Sequence, residues 1–122
     1  MDSYNIEIID FELDKLEEIN GIIGLAIAKR NGLLITSRLP REIDGRKLGA
    51  MAATMFEAIE IATNSLHSGE ILNLTIEFDE FQILILGITD QIIIISILEA
   101  DTNIGLILIE IEESIEKIKN NP

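Results

Sequence analysis

The chain has 122 residues, room for a single domain of ordinary size, expected to occupy residues 1–122. Lysine and arginine number 9 against 22 aspartates and glutamates, giving a net charge of −13. That argues against nucleic acid, whose phosphates need basic patches, and against anionic membrane surfaces, while the absence of cysteine excludes disulfides, thiolate metal sites and a thiol nucleophile.

Nearly half the residues are apolar, enough for a packed core. The longest apolar runs, such as Ile83 to Leu86 and Ile92 to Ile95, are short. A membrane span needs about 20 apolar residues, and Met1 to Glu7 carries no basic leader pattern. The expectation is a soluble, cytoplasmic chain with no signal peptide and no membrane insertion.

The first segment, Asp10 to Asn20, places Leu13, Leu16 and Ile19 at helical spacing, with Gly21 as its stop. Ile22 to Lys29 and Leu33 to Arg38 are apolar segments joined by Arg30-Asn31-Gly32, and Asn-Gly between such runs predicts a hairpin. Pro40 ends the second strand. A long helix is expected from about Asp44 to His67, with Gly69 as a left-handed C-terminal residue. Three strands follow, at Glu70–Phe78, Phe81–Ile88 and Gln91–Leu98. Their two-residue connections admit only antiparallel hairpins. Asp101-Thr102-Asn103 offers caps for a last helix, in which Ile104, Leu108, Ile111, Ile115 and Ile118 recur at steps of four and three.

Several strands are apolar at nearly every position instead of alternating, which requires both faces of the sheet to be covered. The result is an α+β, three-layer α/β/α sandwich in the order αββαβββα, with a five-stranded antiparallel sheet.

The long helix predicts more than a fold. Leu48, Ala52, Met55, Ile59, Ala62 and Leu66 form an ordinary core stripe. A second stripe, Ala50, Thr54, Ala58, Ile61 and Ser65, with Met51 beside it, is small and uncharged. A helix apolar or small over most of its circumference is normally buried on two sides, and the chain has no further element for the second. The expected cover is another copy of the chain, in an isologous two-fold contact. The competing account is that Ala and Ser are simply tolerated on a solvated helix face.

Chemistry-bearing constellations are scarce. His67 is the single histidine; Ser65 and Ser68, one and two residues away, do not face it on a helix, so no triad follows. Asp101-Thr102-Asn103-Ile104-Gly105 with Glu112 has something of calcium-loop spacing, but Leu106 stands where the turn glycine is required; helix capping accounts for it. Glu17-Glu18 and Glu112-Glu113 fit solvated helix faces better than an acid/base pair. No phosphate-loop or dinucleotide fingerprint is present. No metal, cofactor or enzymatic activity is expected. One basic cluster stands out on this acidic chain: Arg38, Arg41, Arg46 and Lys47, around the start of the long helix. It suits an acidic partner surface or phosphate oxygens, or else it is a solvated loop.

The stretch from Leu16 to Ser37, with Gly21, Gly24, Gly32 and Ser37 at its turns and strand ends, resembles the opening of roadblock domains. Asp101-x-Asn103-x-Gly105, leading into the last helix, is similar to the family's "D-x-N-x-G" pattern. The resemblance covers roughly residues 10–118. It implies a longin-like sandwich with one long helix on one face of the sheet and two on the other. It also implies dimerisation through the long helix and the third strand, which adds Leu72, Asn73, Leu74 and Thr75 to the contact. Members of the family are non-catalytic platforms; some regulate small Ras-like GTPases, others are dynein light chains or scaffold subunits. The expected function is therefore a homodimeric platform that binds and regulates a small Ras-like GTPase, with the second chain alternatively a different roadblock protein. If the platform supplies an arginine in trans, as GTPase activators do, Arg38 and Arg41 are the positions for it. The alternatives are a scaffold subunit without GTPase contact and, last, a small-molecule sensor.

Overall fold

The computed structural model describes residues 4–67 and 69–122; Met1 to Ser3 and Ser68, the neighbour of His67 weighed above, lie outside them. In chain order the elements are α1 (Ile6–Glu17), β1 (Ile22–Lys29), β2 (Leu34–Arg38), α2 (Gly45–Asn64), β3 (Leu74–Glu77), β4 (Phe81–Gly87), β5 (Ile92–Glu99) and α3 (Ile104–Lys119). The five strands form one sheet in the spatial order β2-β1-β5-β4-β3, with every neighbouring pair antiparallel. β2 and β3 are its edges.

Burial on both faces explains the unbroken apolar runs. Leu25, Ile27, Leu84, Leu86, Ile92, Ile94 and Leu98 pack toward α1 and α3, while Ala26, Ala28, Ile83, Ile85, Ile93, Ile95 and Ile97 pack toward α2. The three layers are thus the period-two alternation of each strand carried into two separate cores. Alanine on the α2 side of β1 lets the helix approach closely. A Cβ built on Gly49 would lie 3.2 Å from the Gly32 carbonyl and 3.5 Å from the Ala28 methyl.

Four boundaries differ from the sequence expectation by more than one residue. α1 begins at Ile6, because the Asn5 side chain accepts hydrogen bonds from the Glu7 and Ile8 amides and caps it. It ends at Glu17, so Gly21 (φ +98°) turns the chain into β1 instead of stopping the helix. α2 ends at Asn64, and Gly69 (φ +88°) lies in the following loop. β3 is only four residues long: its ladder begins at Leu74 opposite Ile85, and residues 70–73 have no strand beside them. The Arg30-Asn31-Gly32 hairpin is present, with a positive φ at Gly32 (+96°). The Gly32 amide bonds the Lys29 carbonyl at 2.9 Å and the Lys29 amide bonds the Leu33 carbonyl at 2.8 Å. Together with the register shift after Ile27, this is the turn-plus-bulge form of a hairpin loop.

The core stripe of α2 is also rotated from expectation. Leu48, Gly49, Ala52, Ala53 and Phe56 are buried, Met55 is half-buried, and Ile59, Ala62 and Leu66 are exposed. The reason lies in the sheet: α2 contacts β1, β2 and β5, so its last two turns run beyond the strands that cover it. On α3, Ile107, Ile111, Ser114, Ile115 and Ile118 are buried, with Ile104 and Leu108 only half-buried.

Candidate interaction surfaces

The outward stripe of α2 is open to solvent in the isolated chain. Ala50, Met51, Thr54, Ala58, Ile61 and Ser65 are all exposed, Ile61 at 64%. Its two hydroxyls are already satisfied: Thr54 Oγ1 donates to the Ala50 carbonyl at 2.8 Å and Ser65 Oγ to the Ala62 carbonyl at 2.7 Å. Covering this stripe would strand no donor, so for burial it behaves as an apolar surface.

The third-strand residues lie at the sheet edge. β3 pairs with β4 on one side only. Leu74 and Ile76 point toward the α2-side core and are half-buried; Thr75 lies on the opposite face and is exposed. Leu72 is 84% exposed. Asn73, half-buried, accepts a hydrogen bond from Thr75 Oγ1 at 3.1 Å. An unpaired strand edge beside a partly covered apolar face is a template for adding another strand.

The four basic residues do not form one patch. Arg38 is engaged on the α1 side of the sheet, its Nε donating to Asp14 at 3.1 Å and its Nη2 to Asp10 at 3.2 Å. Its Nη1 donates to Thr36 Oγ1 and to the Ser37 carbonyl. Partial burial pulls the guanidinium pKa down, and the hydrogen bonds and charges of Asp14 and Asp10 outweigh that, so the net shift is upward. Arg41, Arg46 and Lys47 are exposed at the start of α2, where no ion pair among the described residues holds them. Asp44 is occupied as the cap of α2, accepting from the Arg46 and Lys47 amides. Arg46 sits beside Leu33, which is 59% exposed, and Leu34 in an open cleft.

One residue passed over as a turn filler carries a structural role. Arg30 leaves the β1–β2 hairpin and grips Glu60 of α2 with both carboxylate oxygens of the latter at 2.9 Å. It also donates to the Thr89 carbonyl at 3.1 Å and stacks 4.7 Å from the Phe56 ring centroid. Gly87 makes room: a Cβ there would stand 2.7 Å from Arg30 Nη2. Arg30 thus fixes the second half of α2, where the sheet no longer covers it. The signal in the sequence was weak, since only topology brings residues 30, 60, 87 and 89 together.

No group of three or more metal-ligating side chains occurs among the described residues, and no helix is long and apolar enough to cross a membrane. Asn103 caps α3, accepting from the Leu106 amide at 3.4 Å, in the stretch weighed as a calcium loop.

The comparisons agree with this architecture. The uncharacterised protein MJ1340 of Methanocaldococcus jannaschii is 32% identical over 111 residues, spanning 91% of this chain and 96% of its own. Among solved structures, Myxococcus xanthus MglB superposes with a TM-score of 0.84 at 19% identity, covering 89% of each chain. A Roadblock/LC7 domain from Streptomyces avermitilis superposes equally well, at 0.84 and 10% identity, over 91% of this chain and 94% of its own. The Roadblock/LC7 domain profile matches residues 8–97. The glycine-punctuated opening, the αββαβββα order and the three-layer sheet therefore have one explanation: this chain belongs to the Roadblock/LC7 domain family.

Proposed function

We propose that the chain is a non-catalytic platform of the cytoplasm that associates with a second roadblock chain, its own copy or another, and binds and regulates a small Ras-like GTPase. The observation that carries this reading is the outward stripe of α2, uncharged and with satisfied hydroxyls, in a chain whose sheet also has an open edge at β3. Family membership supports the platform role. A two-fold contact through Ala50, Met51, Thr54, Ala58, Ile61 and Ser65 would continue the sheet across β3, with Leu72, Asn73, Leu74 and Thr75 at the seam. About 800 Å² per partner is the usual size of a stable contact.

For the GTPase, the unpaired cations at the start of α2 offer the docking charge. Arg41, Arg46 and Lys47 have this role in the proposal; Arg38, tied to Asp10 and Asp14, serves the fold first. Small GTPases present acidic and phosphate groups that such cations suit. The test is titration of a Ras-like GTPase encoded beside this gene, loaded with GTP or GDP analogues, into the wild type and an Arg41→Ala/Arg46→Ala/Lys47→Ala variant. Nucleotide-dependent binding, weakened at least tenfold in the variant, is expected. Absence of binding in either nucleotide state would contradict the reading. Comparing stimulated GTP hydrolysis with Arg41→Ala and Arg38→Ala tests the arginine in trans; an unchanged rate for both removes it.

A further inference from the structure

On the side of the sheet away from α2, helices α1 and α3 pack together through a buried hydrogen bond from Ser114 Oγ to Glu12 at 2.8 Å. Where the end of α1 meets the start of α3, they leave an open cleft of about 460 Å³. Ile19, Leu106, Ile107, Ile109 and Glu110 line it. Leu106 is 65% exposed and Ile109 53%. Further along α1, Phe11 is 61% exposed, with Lys15 standing 5.8 Å from its ring centroid and within the field of Glu110. Single exposed apolar residues need no explanation, but a concave group of them does.

The charge around this cleft identifies what fits it. α1 and α3 together carry nine carboxylates against three amines, whereas α2 carries two charges of each sign. Arg38 offsets Asp10 and Asp14, and Glu12 is buried. Glu110 remains at the cleft wall, with Glu113 one turn further along α3. A second copy would bring a like-charged face against this one, which costs free energy, and an anionic lipid surface would be repelled.

We propose that the α1/α3 cleft docks a basic amphipathic helix of a partner protein. Its large apolar side chains enter beside Ile19, Leu106 and Ile109, and its lysines or arginines face Glu110 and Glu113. An apolar cleft between α3 and the turn that follows α1 suits the helix-in-groove mode, in which anchors recur at i, i+3 and i+4. This surface is independent of the α2 stripe and lies across the sheet from it, so both can be occupied in one assembly.

The probe is an 18-residue amphipathic Leu/Lys helix, with a scrambled peptide of equal composition and charge as control. Both are titrated into the full chain by fluorescence anisotropy and mapped by amide chemical shifts. The amphipathic peptide should bind at least tenfold tighter than the scrambled one, with shifts concentrated at residues 19 and 102–113. Leu106→Ser/Ile109→Ser should remove that advantage while retaining wild-type circular dichroism. Glu110→Gln/Glu113→Gln should weaken binding and flatten its salt dependence. Equal binding of the two peptides, retention of the advantage in the serine variant, or shifts centred on α2 would overturn the proposal. So would wild-type self-association that disappears with Leu106→Ser/Ile109→Ser, which would assign the face to a second copy. Ala58→Arg, aimed at the α2 surface, should leave peptide binding unchanged.

Discussion

Arg30 shows how one side chain can set the position of a helix. Its guanidinium joins α2, through Glu60, to the β4–β5 turn, through the Thr89 carbonyl, and its plane lies on Phe56. The Glu60 carboxylate is 42% exposed, so solvent screens the pair and its worth is modest. Replacing Arg30 by Met keeps the stem over Phe56 and should cost about 1 kcal/mol, a fall of roughly 4 °C in Tm for a chain of this size. Gly87→Ala should cost a similar amount by displacing the same guanidinium, and the double variant should cost less than the two together. Strict additivity in thermal denaturation would show that the two positions act separately. Between α1 and α3 the Glu12 carboxylate is buried, accepting from Ser114 Oγ at 2.8 Å and Lys15 Nζ at 3.4 Å. Removing the shorter donor by Ser114→Ala should destabilise by about 1–3 kcal/mol in urea unfolding; a loss under 0.5 kcal/mol would mean the carboxylate keeps adequate partners.

Among the elements, the strands were the most legible. Their apolar runs, bounded by short turns, set both the pairing and the two-sided burial, and β1 has the bounds that its sequence predicts. The sequence expectation for β3 is too long because segment 70–73 looks strand-compatible; a missing neighbour is invisible in sequence. The α2 core stripe differs from its expected position for a related reason. Periodicity reports which residues share a face, whereas the length of helix that the sheet covers depends on where the strands end. The small outward stripe was legible because it concerns the helix alone, and the Arg30 contact was not, because it spans four segments. Close approach of α2 to the hairpin is testable at Gly49, where an added Cβ would lie 3.2 Å from the Gly32 carbonyl. Gly49→Leu should destabilise by at least about 2 kcal/mol through overpacking, measured by urea unfolding; a stability equal to wild type would mean the helix shifts freely.

At the scale of the whole molecule, the −13 charge is unevenly spread. α1 and α3 together carry −6 of it and the strands and loops the rest, while α2 is balanced. Self-association through α2 would place the less charged layer inside and the acidic layers outside. Salt screens the remaining repulsion between two acidic chains. Raising sodium chloride from about 50 to about 500 mM should hold or tighten the self-association, and should weaken the basic peptide on the opposite face. A dimer that dissociates with salt would place charged pairs, not the α2 stripe, at its centre.

The central claim is that the outward side of α2 is covered by another chain. Light scattering of the wild type and Ala58→Arg at equal concentration tests it most directly. The wild type should give twice the 13.6 kDa chain mass, and Ala58→Arg, folded by circular dichroism, the mass of one chain. A wild type that stays at one chain mass at high concentration with no other roadblock chain able to pair with it, or an Ala58→Arg particle as heavy as the wild type, would contradict it.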